Sequence, residues 1–390
     1  MQDMASAPRM ALLSFAALAS AMGIGRFAFT PLLPMMRAEG LLNVAEAGWL
    51  ASIHFLGYAI GAFLAGRLTS APRFILSASL AAIGVATLAM GVTESFIVWL
   101  LARWIAGVCS AFILVLISNH VVKSLAEAKR PDLRGLVFAG VGSGIALIGL
   151  LTLALMAFDL SSRIGWTICG ILVLCVAAPA VRSLPDGGKR HAPSSKHQFG
   201  RSRINWYVVL PYGAVGFGYI IPATYLPIMA QASISSPLVF GWGWPIFGVA
   251  AALSTVLAVR LVPQINERTI WFAGQLVMAA GLLLPAVWPN LACVIIGGIC
   301  VGGTFMVITM AGMAEAHRIA AGGDPMPQIA AATAAFAIGQ MVGPSVAGMA
   351  YGMWESFSAP LVLASGCLAL SVFMLLRGQA VAAAGANAGG

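Results

Sequence analysis

Long apolar stretches follow one another along the chain, broken only by short clusters of charge, proline and glycine. A run of about 18 apolar residues suffices, as a helix, to cross a hydrocarbon layer roughly 30 Å thick. Cut at its polar breaks, the chain yields six candidate helices in its first half, over residues 11–36, 47–66, 74–92, 95–122, 135–158 and 164–181. Six more follow over residues 204–232, 237–259, 269–288, 291–314, 327–353 and 356–376. The first run is too long for a signal-peptide core and lacks a small-x-small cleavage site at its end, so it reads as a retained span. Residues 183–203, rich in Gly, Ser, Pro, Lys and His, read as a linker between two units, 1–182 and 204–390.

Self-similarity at a fixed offset sharpens this division. Gly23, Gly25, Leu33, Pro34 and Met36 recur 193 residues later as Gly216, Gly218, Leu226, Pro227 and Met229. Gly48, Trp49, Leu64, Ala65, Arg67 and Leu68 recur as Gly241, Trp242, Leu257, Ala258, Arg260 and Leu261 at the same offset. Gly140, Gly144 and Gly149 recur at an offset of 199 as Gly339, Gly343 and Gly348. A direct repeat preserves membrane orientation only when each unit has an even number of spans. The expectation is an all-α membrane protein of twelve transmembrane helices, arranged as two pseudo-symmetric six-helix bundles with a path between them.

Composition agrees. The chain is 60% apolar and 8% charged, far from the roughly 45–50% and 25% of soluble domains. Its net charge of +9 does not point to nucleic acid, because no folded polar surface is available to carry a basic face. It reports topology instead. Of the 21 Lys and Arg, Arg26 and Arg103 lie inside spans, Arg37 and Arg163 fall on one side, and the remaining seventeen fall on the side that holds both termini. Both termini are therefore expected in the cytoplasm, with the protein in the cell inner membrane. The six cysteines sit inside apolar runs without metal-ligand spacing, so no metal is expected. Gly23 to Ala28 mimics a dinucleotide fingerprint but lacks a βαβ context, and no cofactor is expected.

Several motifs resemble the major facilitator superfamily. Arg103-x-x-x-Gly107 looks like its span-four motif, and Gly339-x-x-x-Gly343-Pro344 is similar to the glycine-proline motif usually found in span five. Arg67 and Arg73 match the basic positions of its loop motif, while the acidic position falls on Gly66. In span five, Ile145 stands where proline would follow Gly144. The run from Gly23 to Pro34 resembles the bacterial YbfB/YjiJ-type subgroup. The resemblance implies the major facilitator fold, secondary transport of a small molecule, and a monomer. It also implies that spans one, two and four face a central cavity.

An arginine at mid-membrane costs about 2.5–3.5 kcal/mol on insertion scales, so Arg26 and Arg103 call for a reason. Both lie at similar depth, with His54 at the same level, and no Asp or Glu lies deep in any span. Guanidiniums match carboxylate or phosphate, so an anionic, organic acid-like substrate held by Arg26 and Arg103 is expected. The alternative for Arg103 is a bond to carbonyls at a broken helix. His54 is the candidate for proton coupling. Tyr219, the repeat equivalent of Arg26, joins Tyr58, Tyr225, Trp244, Thr304 and Gln340 as cavity candidates. Gly140, Gly144, Gly339, Gly343 and Pro344 are read as helix-packing residues, with Arg67 and Arg260 at gating positions. Competing readings are efflux of amphipathic cations and a non-transporting membrane sensor. An enzyme is not expected, since the spans contain no nucleophile-base set.

Overall fold

A computed structural model of the protein describes residues 2–65, 72–180, 204–234, 236–261, 265–319 and 326–388. The expected linker at 183–203 and Arg67 lie outside the described residues, and so does the side chain of Arg260. Among the described residues the chain is helical without strands. Twelve helices among the described residues are long and apolar enough to cross a bilayer. They are α1 (Ala7–Ala38), α2 (Val44–Ala65), α3 (Pro72–Val92), α4 (Phe96–Leu116), α5 (Leu133–Ala157) and α6 (Ser162–Ala180), followed by α7 (Trp206–Ser233), α8 (Pro237–Val259), α9 (Glu267–Val287), α10 (Leu291–Ala316), α11 (Pro327–Trp354) and α12 (Ser358–Arg377). Large apolar side chains such as Phe74, Ile97, Leu253 and Leu370 point outward, as lipid-facing helices require.

The ends of the helices follow local chemistry. Asn43 and Glu46 form a capping box before α2: Asn43 Oδ1 accepts from the Glu46 amide at 2.9 Å, and Glu46 accepts from the Asn43 amide at 2.8 Å. Asn205 caps α7 by accepting from the Tyr207 amide at 3.0 Å. At the start of α6 the Glu39 carboxylate accepts from the Ser162 amide at 2.6 Å and from the Ser162 hydroxyl. That places a negative charge where the helix dipole favours it.

The two halves meet along two equivalent interfaces. α5 packs against α8, and α11 packs against α2; the repeat offsets map one pair onto the other. Both depend on glycine. A Cβ on Gly142 would stand 2.7 Å from the Gly248 carbonyl, and one on Gly149 would stand 2.6 Å from Pro245. On the other seam a Cβ on Gly48 would meet the Pro344 carbonyl at 2.8 Å, and the Ser52 and Ser345 hydroxyls bond at 2.8 Å. α1 and α7 also pack against each other across the halves. The end of the bundle holding both termini is called here the termini face, and the opposite end the far face.

Candidate functional site

The site is built on a break in α1. The sequence Ala19–Arg26 runs as a π-helix between α-helical segments Gln2–Leu18 and Phe29–Ala38. Small residues explain where it forms. A Cβ on Gly23 would stand 2.5 Å from the Gly144 Cα of α5, so only a bare backbone fits there. Widened turns of this kind re-aim side chains and free backbone groups. At this break Arg103 of α4 donates from its two terminal nitrogens to the Gly25 carbonyl (3.1 Å) and the Arg26 carbonyl (3.0 Å). The Arg103 carbonyl in turn lies 3.1 Å from His54 Nδ1. Since a carbonyl only accepts, Nδ1 carries the ring proton and Nε2 is left as a bare, buried acceptor without a partner. Arg26, His54 and Arg103, on three different helices, are thereby brought together.

Arg26 points across the molecular centre and is 4% exposed. Its guanidinium lies over the rings of Phe27, Phe55 and Tyr58 at 5.1, 4.9 and 4.8 Å, which offsets part of its desolvation. One terminal nitrogen donates to the Tyr219 hydroxyl of α7 at 2.6 Å. Tyr219 is stacked between Phe305 and Phe336 at 5.2 and 5.7 Å, and the Gln340 amide also bonds its hydroxyl. Trp244 stacks on Phe247 at 4.9 Å and faces Phe27 at 6.1 Å. An aromatic floor thus links α1, α8, α10 and α11 beneath one charged head.

Donors outnumber acceptors among the polar groups left over at this centre. Arg26 Nε, Arg103 Nε and Trp244 Nε1 are buried donors without a partner; His54 Nε2 and Gln340 Oε1 are the unpartnered acceptors. Among the described residues neither arginine joins an ion pair. Buried donors without acceptors cost free energy, so the centre suits a ligand that supplies acceptor oxygens.

Other expected residues fall elsewhere. The Tyr225 hydroxyl donates to the Pro344 carbonyl at 2.8 Å, with the Val44 carbonyl at 3.4 Å, so it bridges the halves nearer the far face. Thr304 is turned back onto the Cys300 carbonyl of its own helix at 2.6 Å. Gly140 and Gly144 face α1, and Gly339 and Gly343 face α7, so these four glycines pack helices within each half. No group of His, Cys, Asp or Glu among the described residues could hold a metal ion.

One cluster escaped the sequence reading. Glu315, fully buried at the termini end of α10, lies 3.1 Å from Arg268 and accepts from Arg318 at 2.6 and 2.8 Å. Its signal was an acid and an arginine three residues apart, the spacing of one helix face. It lies wholly within the second half.

Comparisons with known proteins place the architecture. A family profile described as the uncharacterised MFS-type transporter YbfB matches residues 18–376. The uncharacterised MFS-type transporter YceJ of Bacillus subtilis (strain 168) is 24% identical over 355 residues, covering 86% of this chain and 88% of that protein. An uncharacterised MFS-type transporter of Yersinia pestis (strain Pestoides F) is 24% identical over 372 residues, covering 89% and 90%. Two crystal structures of the nucleoside transporter NupG, the first of a point mutant, superpose with TM-scores of 0.71 and 0.67 at 13% and 14% identity. These cover 95% and 97% of this chain and 99% of each NupG chain, so the fold is that of NupG. With its twelve helices, its paired halves and a profile match along nearly its whole length, the chain belongs to the YbfB-type family of major facilitator superfamily transporters.

Proposed function

We propose that the protein is a secondary transporter that carries a small organic anion across the cell inner membrane by alternating access. In this reading it works as a monomer with both termini in the cytoplasm. The observation that carries the proposal is the Arg26 guanidinium: buried between the two halves, free of any carboxylate among the described residues, and aimed at a phenol that the other half supplies. A carboxylate would satisfy that fork more fully than a phenol does. Cations as substrates are disfavoured, because the aromatic box that would hold one is already occupied by Arg26 itself.

Each residue then has a role. Arg26 binds the anion, the unpartnered Trp244 indole N–H is a second donor for it, and Gln340, its amide nitrogen bonded to the Tyr219 hydroxyl, holds that phenol in place. Arg103, its terminal nitrogens committed to the α1 carbonyls, positions Arg26 and leaves Nε for the ligand. His54 is the proton carrier. Arg103 holds its Nδ1 through the backbone carbonyl, and an anion bound at Arg26 would offset the positive charge that the two guanidiniums bring to this centre. Anion and proton would therefore favour each other's binding, which is the thermodynamic requirement for symport.

The test is uptake of a panel of small carboxylates and cations by purified protein in liposomes, with Arg26→Lys and Arg26→Ala alongside. Saturable carboxylate uptake that falls at least tenfold in the alanine variant supports the reading. Uptake of cations alone, or carboxylate uptake indifferent to Arg26, defeats it.

A further inference from the structure

Above the central site, toward the far face, α1 and α7 present two matching stripes. Arg26, Thr30, Pro34 and Arg37 share one face of α1 at helical spacing, opposite Tyr219, Ala223, Pro227 and Gln231 on α7. The stripes touch at Arg26 and Tyr219, and again where Thr30 donates to the Ala223 carbonyl at 2.6 Å. Both pairs are 193 residues apart, so each joins repeat equivalents across the pseudo-twofold axis. Beyond this seal the stripes part around a cavity of about 310 Å³ lined by Pro34, Arg37, Ile228, Gln231 and Tyr351, among others. Arg37 is about 16 Å from Arg26 along the helix, at 1.5 Å per residue.

The chemistry of this cavity is specific. The Arg37 guanidinium lies 6.0 Å from the centre of the Tyr351 ring, half-buried, and it joins no ion pair among the described residues. The acid two residues on, Glu39, is committed to the start of α6. The other far-face cation, Arg163, is paired with Glu94 at 3.3 Å. Arg37 is therefore the far-face cation whose charge is left available, and it sits in a hollow walled by both halves. An arginine held against a ring keeps its fork free to grip a carboxylate, while Pro34, Ile228 and Tyr351 offer apolar surface to a carbon skeleton.

From this we infer that the far-face cavity at Arg37 is a second binding site for small carboxylates, in line with Arg26 and separated from it by the Thr30–Ala223 seal. The inference extends the anion reading to an outer station on the same path, but the cavity's own chemistry carries it. Because its walls come from both halves, the site exists only while the far face is closed, and a ligand there selects that state.

The probe is benzoate, and the readout is the rate at which phenylglyoxal modifies each arginine of the purified full-length protein, followed by mass spectrometry. Benzoate near saturation should at least halve modification of Arg37, both in the wild type and in Arg26→Gln. Protection should be lost in Tyr351→Ala and reduced in Gln231→Ala, with Arg163 serving as the internal control. Unaltered modification of Arg37, or equal slowing at Arg163, overturns the inference, whatever happens at Arg26. Protection at Arg37 together with liposome carboxylate uptake that is indifferent to Arg26→Ala would keep this site and remove the central anion reading, so the two failures are distinguishable.

Discussion

Arg26 and Tyr219 occupy the same position in the two repeat units and bond to each other at 2.6 Å. Only residues on the axis relating the halves can meet their own equivalents, so this contact marks the molecular centre. It also makes the charge that would hold a ligand part of the seal between the halves. A ligand that takes over the Arg26 fork must compete with the Tyr219 hydroxyl, which ties occupancy to the opening of the far face.

Removing the phenol hydroxyl should therefore loosen that face. In Tyr219→Phe one inter-half hydrogen bond disappears, a contribution of about 1 kcal/mol, so the far-face-open population should rise about fivefold. Spin labels at positions 38 and 231, a repeat-equivalent pair at the cavity, would report this in a background lacking the six native cysteines. A distance distribution identical to that of the parent would refute the latch.

Arg103 should behave as a structural residue. Arg103→Gln leaves the Gly25 and Arg26 carbonyls short of their donors, a loss of about 2–3 kcal/mol for two charge-assisted bonds in a buried setting. A clear drop in melting temperature is expected, with partial recovery in Arg103→Lys. Arg26→Gln should melt close to the wild type while losing transport. If the two variants exchange these behaviours, the roles assigned here are reversed.

The α5–α8 seam should tolerate no side chain at Gly142. Gly142→Val pushes a branched group against the backbone of Gly248 and Ala252, and backbone cannot step aside as a flexible side chain can. Transport should be abolished, with the seam opened or the protein destabilised. Gly303→Ala, with nothing within 4 Å of its added Cβ, should be near neutral in both activity and melting. Equal behaviour of the two variants would contradict the packing described.

His54 offers a test of coupling. With Nδ1 turned to the Arg103 carbonyl, only Nε2 can take a proton. His54→Asn should abolish accumulation driven by a proton gradient while substrate exchange continues. Gradient-driven accumulation that survives this change would exclude the residue as carrier.

Much of this was legible in the chain itself. Twelve spans follow from apolar run length, and the repeat from paired Pro, Trp and Arg, because both depend on local composition or simple offset. Convergence of Arg26, His54 and Arg103 was legible from their common depth once the facilitator resemblance implied that spans one, two and four face one cavity. Less visible was the π-helical stretch at Ala19–Arg26, whose small residues read equally well as ordinary helix; it sets both the aim of Arg26 and the carbonyls that engage Arg103. Glycine spacing marks close helix packing but not which pair of helices meets. Gly140 and Gly144 pack against α1, whereas the seam between halves uses Gly149, which also belongs to the repeat, and Gly142, which does not. The burial of Glu315 depended on Arg268 arriving from another helix, which spacing within α10 does not encode.

The most direct measurement is carboxylate uptake into liposomes by the wild type and Arg26→Ala, with melting temperature recorded on the same preparations. Saturable uptake lost in a variant that still melts like the wild type is the result expected of a buried anion-binding arginine. Undiminished uptake by the variant, or transport restricted to cations, would contradict it.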